Sequence, residues 1–252
     1  MKTSLFILAH PDDDLMVWPL MRDLSKTRRI VVIYTTDTKA VDGGRRRSEA
    51  RNTLSALPIH EIITIDSESQ SSDGKTIYMA SDIASKIEAI ADRHAPVSEV
   101  TTHALEGGNP DHDLAFCIGS GLASKLEDNS KEKVIFRAVP FYRKHPVNAL
   151  PFTVHRPLLG MQYEIFKTSR IQNLKILFAA RHYRSQVLVL LALLPFYVLK
   201  LSMRGGVLFH SERKAEAYTK RIENNSMIGR AFDGDPQEFY EKLMVFWSNY
   251  YP

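Results

Sequence analysis

The sequence has little cysteine and no pattern typical of a nucleic-acid module. Among its 252 residues the single cysteine, Cys117, cannot pair within the chain, which excludes a disulfide framework and favours a reducing compartment such as the cytoplasm. The first apolar run, Leu5–Ala9, is too short for the core of a secretory signal, so we expect none. No helix-turn-helix, zinc-finger or aromatic-interleaved basic pattern is present, and nucleic acid is not an expected partner.

Short apolar runs rich in β-branched residues alternate with helical segments through the first half of the chain. The predicted strands are Leu5–Ala9, Ile30–Tyr34, Ile62–Ile65, Val100–His103 and Val134–Ala138, and the predicted helices are Asp14–Leu24, Arg45–Leu57, Ser81–His94 and Asp113–Leu126. Strands separated by helices of this length indicate βαβ units. We predict an α/β fold over residues 1–140, with a Rossmann-like, doubly wound, mostly parallel sheet. Residues 141–252 are expected to complete the same domain as a helical extension that closes with a helix over Pro236–Trp247.

An apolar segment, Val187–Leu199, stands out in this extension. It is thirteen residues long, contains Pro195 and has basic flanks, whereas a transmembrane helix needs about 20 residues. Two interpretations stay open. The segment is a helix buried in the fold or in a homo-oligomer, or it makes a peripheral membrane contact through its basic flanks. The net charge of +4 suits a solvated surface, a phosphorylated substrate or an anionic membrane surface.

Acidic residues and a histidine follow the first predicted strand directly, in Ala9-His10-Pro11-Asp12-Asp13-Asp14. In an open α/β sheet, ligands bind at the carboxyl ends of the strands. A histidine and three acids at that edge form a dense cluster that is costly unless a cation neutralises it. The alternative is a helix N-terminus at which aspartates cap free amides.

A second motif, Glu106-Gly107-Gly108-Asn109-Pro110-Asp111-His112-Asp113, follows the fourth predicted strand. It supplies another histidine flanked by acids. Two such loops converging on one crevice would present two imidazoles and a carboxylate. That donor set suits Zn²⁺ and also tolerates Fe²⁺ and similar divalent ions.

The two motifs together resemble the LmbE/PIG-L family of metal-dependent deacetylases. The resemblance rests on Ala9-His10-Pro11-Asp12-Asp13 and Gly108-Asn109-Pro110-Asp111-His112, with Arg46-Arg47-Ser48-Glu49 where the family carries Arg-x-x-Glu. It covers about residues 4–139 and implies zinc-dependent removal of an N-acetyl group from an amino sugar or glycoconjugate, lipid-linked or nucleotide-linked. The alternatives are a hydrolase of another acyl amide, such as an antibiotic or a thiol-cofactor precursor, and a non-catalytic metal- or sugar-binding protein.

The resemblance also implies roles for individual residues. It assigns His10, Asp13 and His112 as metal ligands and Asp12 as the general base. Asn109 departs from the family, which commonly has histidine there. Because an amide cannot transfer a proton, we expect acid work to fall on Asp12 and Asn109 to be at most an oxyanion donor.

The remaining candidates have supporting roles. Asp14 is expected to cap the following helix or to support the ligands, and Asp111 to orient His112 or its loop. Arg46 is either a substrate contact or a solvated helix start, and Asp37 could bind a sugar hydroxyl or the loop backbone.

Other histidines and the cysteine complete the set. His103 is expected to be a satisfied strand residue rather than a ligand, and Cys117 a small core residue. Any of four histidines in the C-terminal part could replace the missing family histidine: His145, His155, His182 and His210.

Overall fold

A parallel sheet of five strands lies at the centre of the fold, in a computed structural model that describes residues 1–36, 44–65, 76–107, 109–143, 153–154, 161–213 and 236–251. Its strands are β1 (Thr3–Leu8), β2 (Arg29–Tyr34), β3 (Glu61–Thr64), β4 (Val97–His103) and β5 (Ile135–Val139). They lie in the order β3-β2-β1-β4-β5, and each neighbouring pair is parallel. The predicted Rossmann-like α/β fold is confirmed.

Helices cover both faces of this sheet because successive strand side chains point to opposite sides. In β1, Leu5 and Ile7 enter one core, and Phe6 and Leu8 enter the other. The helices are α1 (Asp14–Leu24), α2 (Arg45–Leu54), α3 (Ala80–Arg93), α4 (Pro110–Ser130), α5 (Arg170–Ala180), α6 (Val187–Arg204) and α7 (Pro236–Tyr250). One face is covered by α1, α2, α5 and α6, and the other by α3, α4 and α7.

Four predicted helices have different ends in the structure, and two of them, α3 and α7, differ by no more than three residues. The helix expected over Asp113–Leu126 is α4, which begins at Pro110, because the Asn109 side chain caps it and proline suits the first helical position. The helix expected to reach Leu57 ends at Leu54. The predicted α1 has the bounds that the structure shows.

The C-terminal part is joined to the sheet by strand and helix contacts. A two-stranded antiparallel ribbon pairs β8 (Glu164–Lys167) with β9 (Gly206–Phe209), and a bridge between Ala138 and His210 attaches its end to β5. A second short ribbon pairs β6 (Tyr142–Arg143) with β7 (Thr153–Val154). These contacts support the proposal that both parts of the chain form one domain.

Helix α6 contains the predicted apolar segment and is buried on one side alone. Leu194, Tyr197 and Leu201 face the core, whereas Leu188 and Met203 are 80% and 78% exposed. The interpretation of this segment as buried in the fold is therefore wrong for its outward face. Residues 184–204 are long and apolar enough to cross a membrane by length and composition, with 22% of the window buried.

Candidate metal centre

The two predicted motifs meet where the strand order reverses. β1 and β4 are neighbours in the sheet, and β1 is followed by His10–Asp13 while β4 is followed by Ala104–Asn109. At such a switch point the loops diverge and leave a crevice beyond the carboxyl ends of the strands. The topology therefore brings the two motifs to one place.

Two imidazoles and one carboxylate form a compact group in this crevice. One ligand atom from each of His10, Asp13 and His112 lies within 4.8 Å of the other two, and all three side chains are buried. The His112 Nε2 is 3.5 Å from one Asp13 oxygen, and the His10 Nδ1 is 3.5 Å from the other. The His10 backbone N–H also donates to Asp13 at 2.7 Å, which fixes the carboxylate.

A further carboxylate, in addition to Asp13, lies beside each of the two histidines of this group. The Asp111 Oδ2 lies 3.2 Å from the His10 Nε2, and its other oxygen accepts from the Thr76 hydroxyl. Asp111 was expected to orient His112 or its loop, and the structure shows its carboxylate beside His10, where the first turn of α4 directs it. Glu106 instead lies beside His112, 3.9 Å from Nδ1. Such outer carboxylates hold the ring orientation of metal-binding histidines.

A third histidine, His103, packs against the group without joining it. Its ring stacks on that of His112, with centroids 3.8 Å apart. Its Nε2 accepts the Ala9 backbone N–H at 2.9 Å. Burial, followed by the charge of His112, lowers the pKa of His103 to about 3, so its imidazole is neutral. Its Nε2 also lies 3.3 Å from Asp13 Oδ2, and within the described part of the chain its Nδ1 has no hydrogen-bond partner, so only one of its two ring nitrogens is satisfied as expected.

Asp12 differs from its neighbours in exposure and backbone conformation. It is half-buried, whereas Asp13 and Asp14 are buried, and its φ of +124° is one that side-chain-bearing residues rarely adopt. Burial and the charge of Asp13 raise its pKa to about 7, although His10 and Arg46 oppose the shift. A carboxylate with this pKa can take and return a proton near neutral pH.

Asp14 is a buried acid held by two tyrosines. The hydroxyls of Tyr34 and Tyr183 donate to it at 3.1 Å and 2.8 Å. Burial raises its pKa to about 7, against the effect of these hydrogen bonds. The expectation that Asp14 caps α1 is wrong: Asp13 holds the cap position, and its side chain makes no capping bond.

The Asn109 side chain caps the N-terminus of α4. Its Oδ1 accepts the backbone N–H groups of Asp111 and His112 at 3.0 Å and 3.4 Å. The cap leaves only Nδ2 for a substrate, so a role as oxyanion donor depends on that atom.

Asp113 organises the loop before α4 and was missed by the sequence interpretation. It accepts the backbone N–H groups of Glu106 and Gly107 and the hydroxyl of Tyr240 from α7. Gly107 has a φ of +72°, which glycine adopts without strain. Burial raises the pKa of Asp113 to about 6. An acid at this place in the motif is compatible with such a role. Its partner Tyr240 is 127 residues away in the sequence, so the contact could not be predicted from the motif.

The other candidates are distributed as follows. Asp37, His145 and His155 lie outside the described residues. His210 is buried away from the ligand group, and its Nδ1 lies 2.7 Å from the Gln162 carbonyl. His182 lines a surface cavity beside Arg45, Arg181 and Arg184. Cys117 is buried in the core, and burial raises its pKa well above the ordinary value.

The donor chemistry and the charges fit a Zn²⁺ ion. Burial by itself lowers the pKa of His112, but Asp13 and Glu106 more than offset it and the value is raised to about 9. The pKa of His10 is likewise raised well above its ordinary value, by Asp111 and Asp13 acting against burial. Buried carboxylates here thus favour positive charge on both imidazoles, and a divalent cation can supply that charge instead.

Comparison with protein families identifies the part of the chain that carries both motifs. Residues 5–120 match the family described as PIG-L: GlcNAc-PI de-N-acetylase. The match includes both motifs and Arg46, and the resemblance predicted from the sequence is confirmed. A comparison with curated proteins gave no match.

Solved structures with a similar fold are named as deacetylases. The A40926 pseudoaglycone deacetylase Dbv21 has a TM-score of 0.56 at 16% identity, over 82% of this chain and 95% of that one. The zinc-inhibited form of teicoplanin deacetylase Orf2 has a TM-score of 0.53 at 14% identity, over 82% and 97%. A deacetylase of the teicoplanin biosynthesis pathway has a TM-score of 0.54 at 15% identity, over the same shares. At these identities the likeness shows the fold.

Proposed function

We propose, on the premise that residues 5–120 belong to the PIG-L family, that this chain is a zinc-dependent hydrolase that removes an N-acetyl group from an amino sugar or glycoconjugate. The observation that carries the proposal is the grouping of His10, Asp13 and His112 within 4.8 Å, with the partly exposed Asp12 beside them. Three protein ligands leave a coordination position open, as in catalytic rather than structural zinc sites.

The metal would be held by His10, Asp13 and His112. When bound there, Zn²⁺ supplies a Lewis acid that lowers the pKa of water and polarises an acyl oxygen. The chain's own contribution begins with Asp111, which lies within hydrogen-bond distance of the His10 ring, and with Glu106, whose carboxylate is 3.9 Å from the His112 Nδ1.

Asp12 performs the proton transfers in this proposal. As a carboxylate it takes a proton from the attacking water while the acyl carbon becomes tetrahedral. It then delivers that proton to the leaving nitrogen, so that acetate and a free amine are released. Its half-buried position and a pKa near 7 suit both steps. Asn109 Nδ2 is the candidate donor to the developing oxyanion.

Arg46 is the proposed contact to the remainder of the substrate. It lies in the first turn of α2 and its charge lowers the pKa of Asp12, which supports this role. A guanidinium can bind sugar hydroxyls or a phosphate through paired N–H groups. Asp37 is kept as a further candidate by sequence alone.

The proposed function has a direct test in acetate release. The protein is purified, loaded with Zn²⁺ and incubated with N-acetylated sugars in free, nucleotide-linked and lipid-linked forms. We expect acetate from at least one of them, no acetate after removal of the metal with a chelator, and recovery after Zn²⁺ is restored. No release from any of these sugars by metal-loaded protein would contradict the proposal.

A second candidate is hydrolysis of another acyl amide, such as an acylated antibiotic. It is favoured by the names of the solved structures, which are deacetylases of A40926 pseudoaglycone and teicoplanin. Metal-dependent release from a glycopeptide antibiotic, with none from the simple sugars, would select this candidate. A non-catalytic metal-binding protein would release nothing in either assay yet gain activity with Asn109→His.

We also propose a cytoplasmic location. The single buried thiol of Cys117 suits a reducing compartment. A homo-oligomer stays a prediction, to be measured by light scattering.

A further inference from the structure

We propose that the outward face of α5 and α6 is a docking surface for an anionic phospholipid bilayer, on which the protein lies without spanning it. This inference concerns where the protein works and is independent of which acyl group it removes. It rests on three observations: a continuous apolar stripe, a basic stretch of chain that carries it, and anchoring of both helices to the core beside the metal centre.

The apolar stripe runs along the outside of both helices at helical spacing. In α6 the exposed residues recur every three or four positions, at Leu188, Leu191, Pro195, Leu199 and Met203, and the exposed Phe196 lies next to Pro195. In α5 they are Ile171, Leu174 and Phe178. Residues at such spacing share one face of a helix. Because α5 and α6 pack against each other, the two stripes form one surface, which we call the apolar face. Large exposed apolar patches are typical of surfaces that contact another protein or a membrane.

The segment that carries the apolar face is basic, although two acids from neighbouring helices contact it: Asp23 of α1 accepts from Gln172, and Glu49 of α2 accepts from Ser185. Residues 165–211 contain no aspartate or glutamate and seven basic residues: Lys167, Arg170, Lys175, Arg181, Arg184, Lys200 and Arg204. The whole chain has a net charge of +4, so the remaining residues together carry −3. A basic rim around an apolar surface is complementary to anionic headgroups above acyl chains. A self-association surface would repel its own copy through the same charges.

Two adjoining cavities in this region, one apolar and one polar, have the polarity expected of a binding site for a single lipid. An apolar cavity of about 500 Å³ lies between α5 and α6, lined by Leu177, Val187 and Leu190 among others. A polar cavity of about 480 Å³ adjoins it and contains Arg45, which is paired with the one acid of the lining, Glu49, at 3.1 Å. Arg181 and Arg184 line both cavities. The first cavity suits part of an acyl chain, and the shared arginines suit the phosphate at its end.

The inner side of the helices explains why they lie on the surface of the bilayer. Tyr197 is fully buried and its hydroxyl donates to the Met16 carbonyl of α1, and Leu201 is buried in the same core. Spanning the membrane would break these contacts. Tyr183, in the turn between α5 and α6, donates to Asp14 next to the ligand Asp13, so the docking surface and the metal centre are linked through one hydrogen bond.

Vesicle sedimentation of the full-length, zinc-loaded protein tests the inference. Phosphatidylcholine vesicles are compared with vesicles containing one part phosphatidylglycerol to three parts phosphatidylcholine. We expect binding to the anionic vesicles, weakening with added salt, and little binding to the neutral ones. Because sedimentation does not require turnover, the result is independent of the acetate-release assay, and Asp12→Asn protein should bind equally.

Matched variants separate the apolar face from general surface properties. Leu188→Gln with Phe196→Gln should reduce vesicle binding at least tenfold, whereas Tyr163→Gln with Val245→Gln, which are also exposed, should not. Lys175→Gln with Arg181→Gln should weaken binding to anionic vesicles about 25-fold, from about fivefold per charge at the membrane surface. Arg51→Gln with Lys133→Gln is the charge control.

Four outcomes would overturn the inference, and the first three concern binding and oligomeric state. These are no binding to anionic vesicles, equal losses in the control variants, and a wild-type dimer that Leu188→Gln with Phe196→Gln converts to a monomer without any vesicle binding. Retention on the vesicles after a carbonate wash would also overturn it, because it would indicate a spanning helix. Circular dichroism of each variant verifies that it is folded.

Discussion

The Tyr183 hydroxyl donates a hydrogen bond to the Asp14 carboxylate at 2.8 Å, although the two residues are 169 positions apart. Asp14 directly follows the proposed ligand Asp13, and Tyr183 lies between α5 and α6. The C-terminal part of the chain therefore contributes to the polar interior behind the metal motif, which supports its assignment to the same domain.

The first prediction concerns this hydrogen bond. Tyr183→Phe should lower the free energy of unfolding by about 1–3 kcal/mol, because a buried acceptor loses a partner. The measurement is urea denaturation of metal-free protein, with Tyr163→Phe as the exposed control.

The same variant has a predicted pH dependence. The pKa of Asp14 is raised to about 7 in the folded protein, above its unfolded value, so Asp14 costs stability as it ionises with rising pH. Tyr183 offsets part of that cost by favouring the ionised form. The loss in Tyr183→Phe should therefore be larger at pH 8 than at pH 5, and equal losses would contradict the assignment.

The second prediction separates the proposed base from the ligands. Asp12→Asn should retain one zinc per chain and lower kcat by about 10²–10⁴-fold, as expected for loss of a general acid–base. Metal analysis and acetate release on the same sample give both values. Asp82→Asn, an exposed aspartate on α3, is the control and should change neither. Loss of zinc in Asp12→Asn would instead make Asp12 a ligand.

The third prediction concerns the pH dependence of zinc affinity. The pKa of His112 is raised to about 9, so its ring is protonated near neutral pH before metal binds, and the pKa of His10 is raised as well. A protonated ring must lose its proton to bind zinc, and the affinity should therefore rise with pH.

Chelator competition between pH 6 and pH 8 measures this effect. The logarithm of the apparent association constant should increase by about two for each pH unit when two protons are released. His60→Gln removes an exposed histidine on the chain and should leave the slope unchanged. A constant affinity over this range would show that the metal binds without displacing these protons.

The fourth prediction divides two roles of Asn109. Asn109→Ala should lower the free energy of unfolding by about 1 kcal/mol through loss of the helix cap, and Asn109→Ser should restore most of it because serine also caps. If Nδ2 stabilises an oxyanion, kcat should fall in both variants, by about 10²-fold or more. Thermal unfolding and acetate release distinguish the two roles. Full activity in Asn109→Ser would restrict Asn109 to the cap.

Local patterns in the sequence were enough to predict the fold and the position of the candidate centre. The five strands lie within three residues of their predicted starts because runs such as Ile30–Tyr34 fit a strand buried on both faces. The grouping of His10 and His112 followed from a general property of parallel sheets, that strand ends share one edge.

Features that depend on distant partners could not be predicted. Asp111 turns to His10 rather than to the adjacent His112 because Thr76 and the first turn of α4 fix its direction. The roles of Tyr183 and Tyr240 depend on how helices far along the chain pack. The start of α4 is different, since Asn109 before Pro110 is a local capping signal that a closer reading of the sequence could use.

At position 12 the backbone conformation lowers the stability of the protein, whereas the aspartate side chain is needed for the proposed reaction. A φ of +124° costs a side-chain-bearing residue about 1–3 kcal/mol and costs glycine almost nothing. Asp12→Gly should consequently melt at a higher temperature than the wild type while releasing no acetate. If thermal stability alone were selected, glycine would be favoured at this position. An aspartate is therefore retained there only while the organism benefits from the reaction.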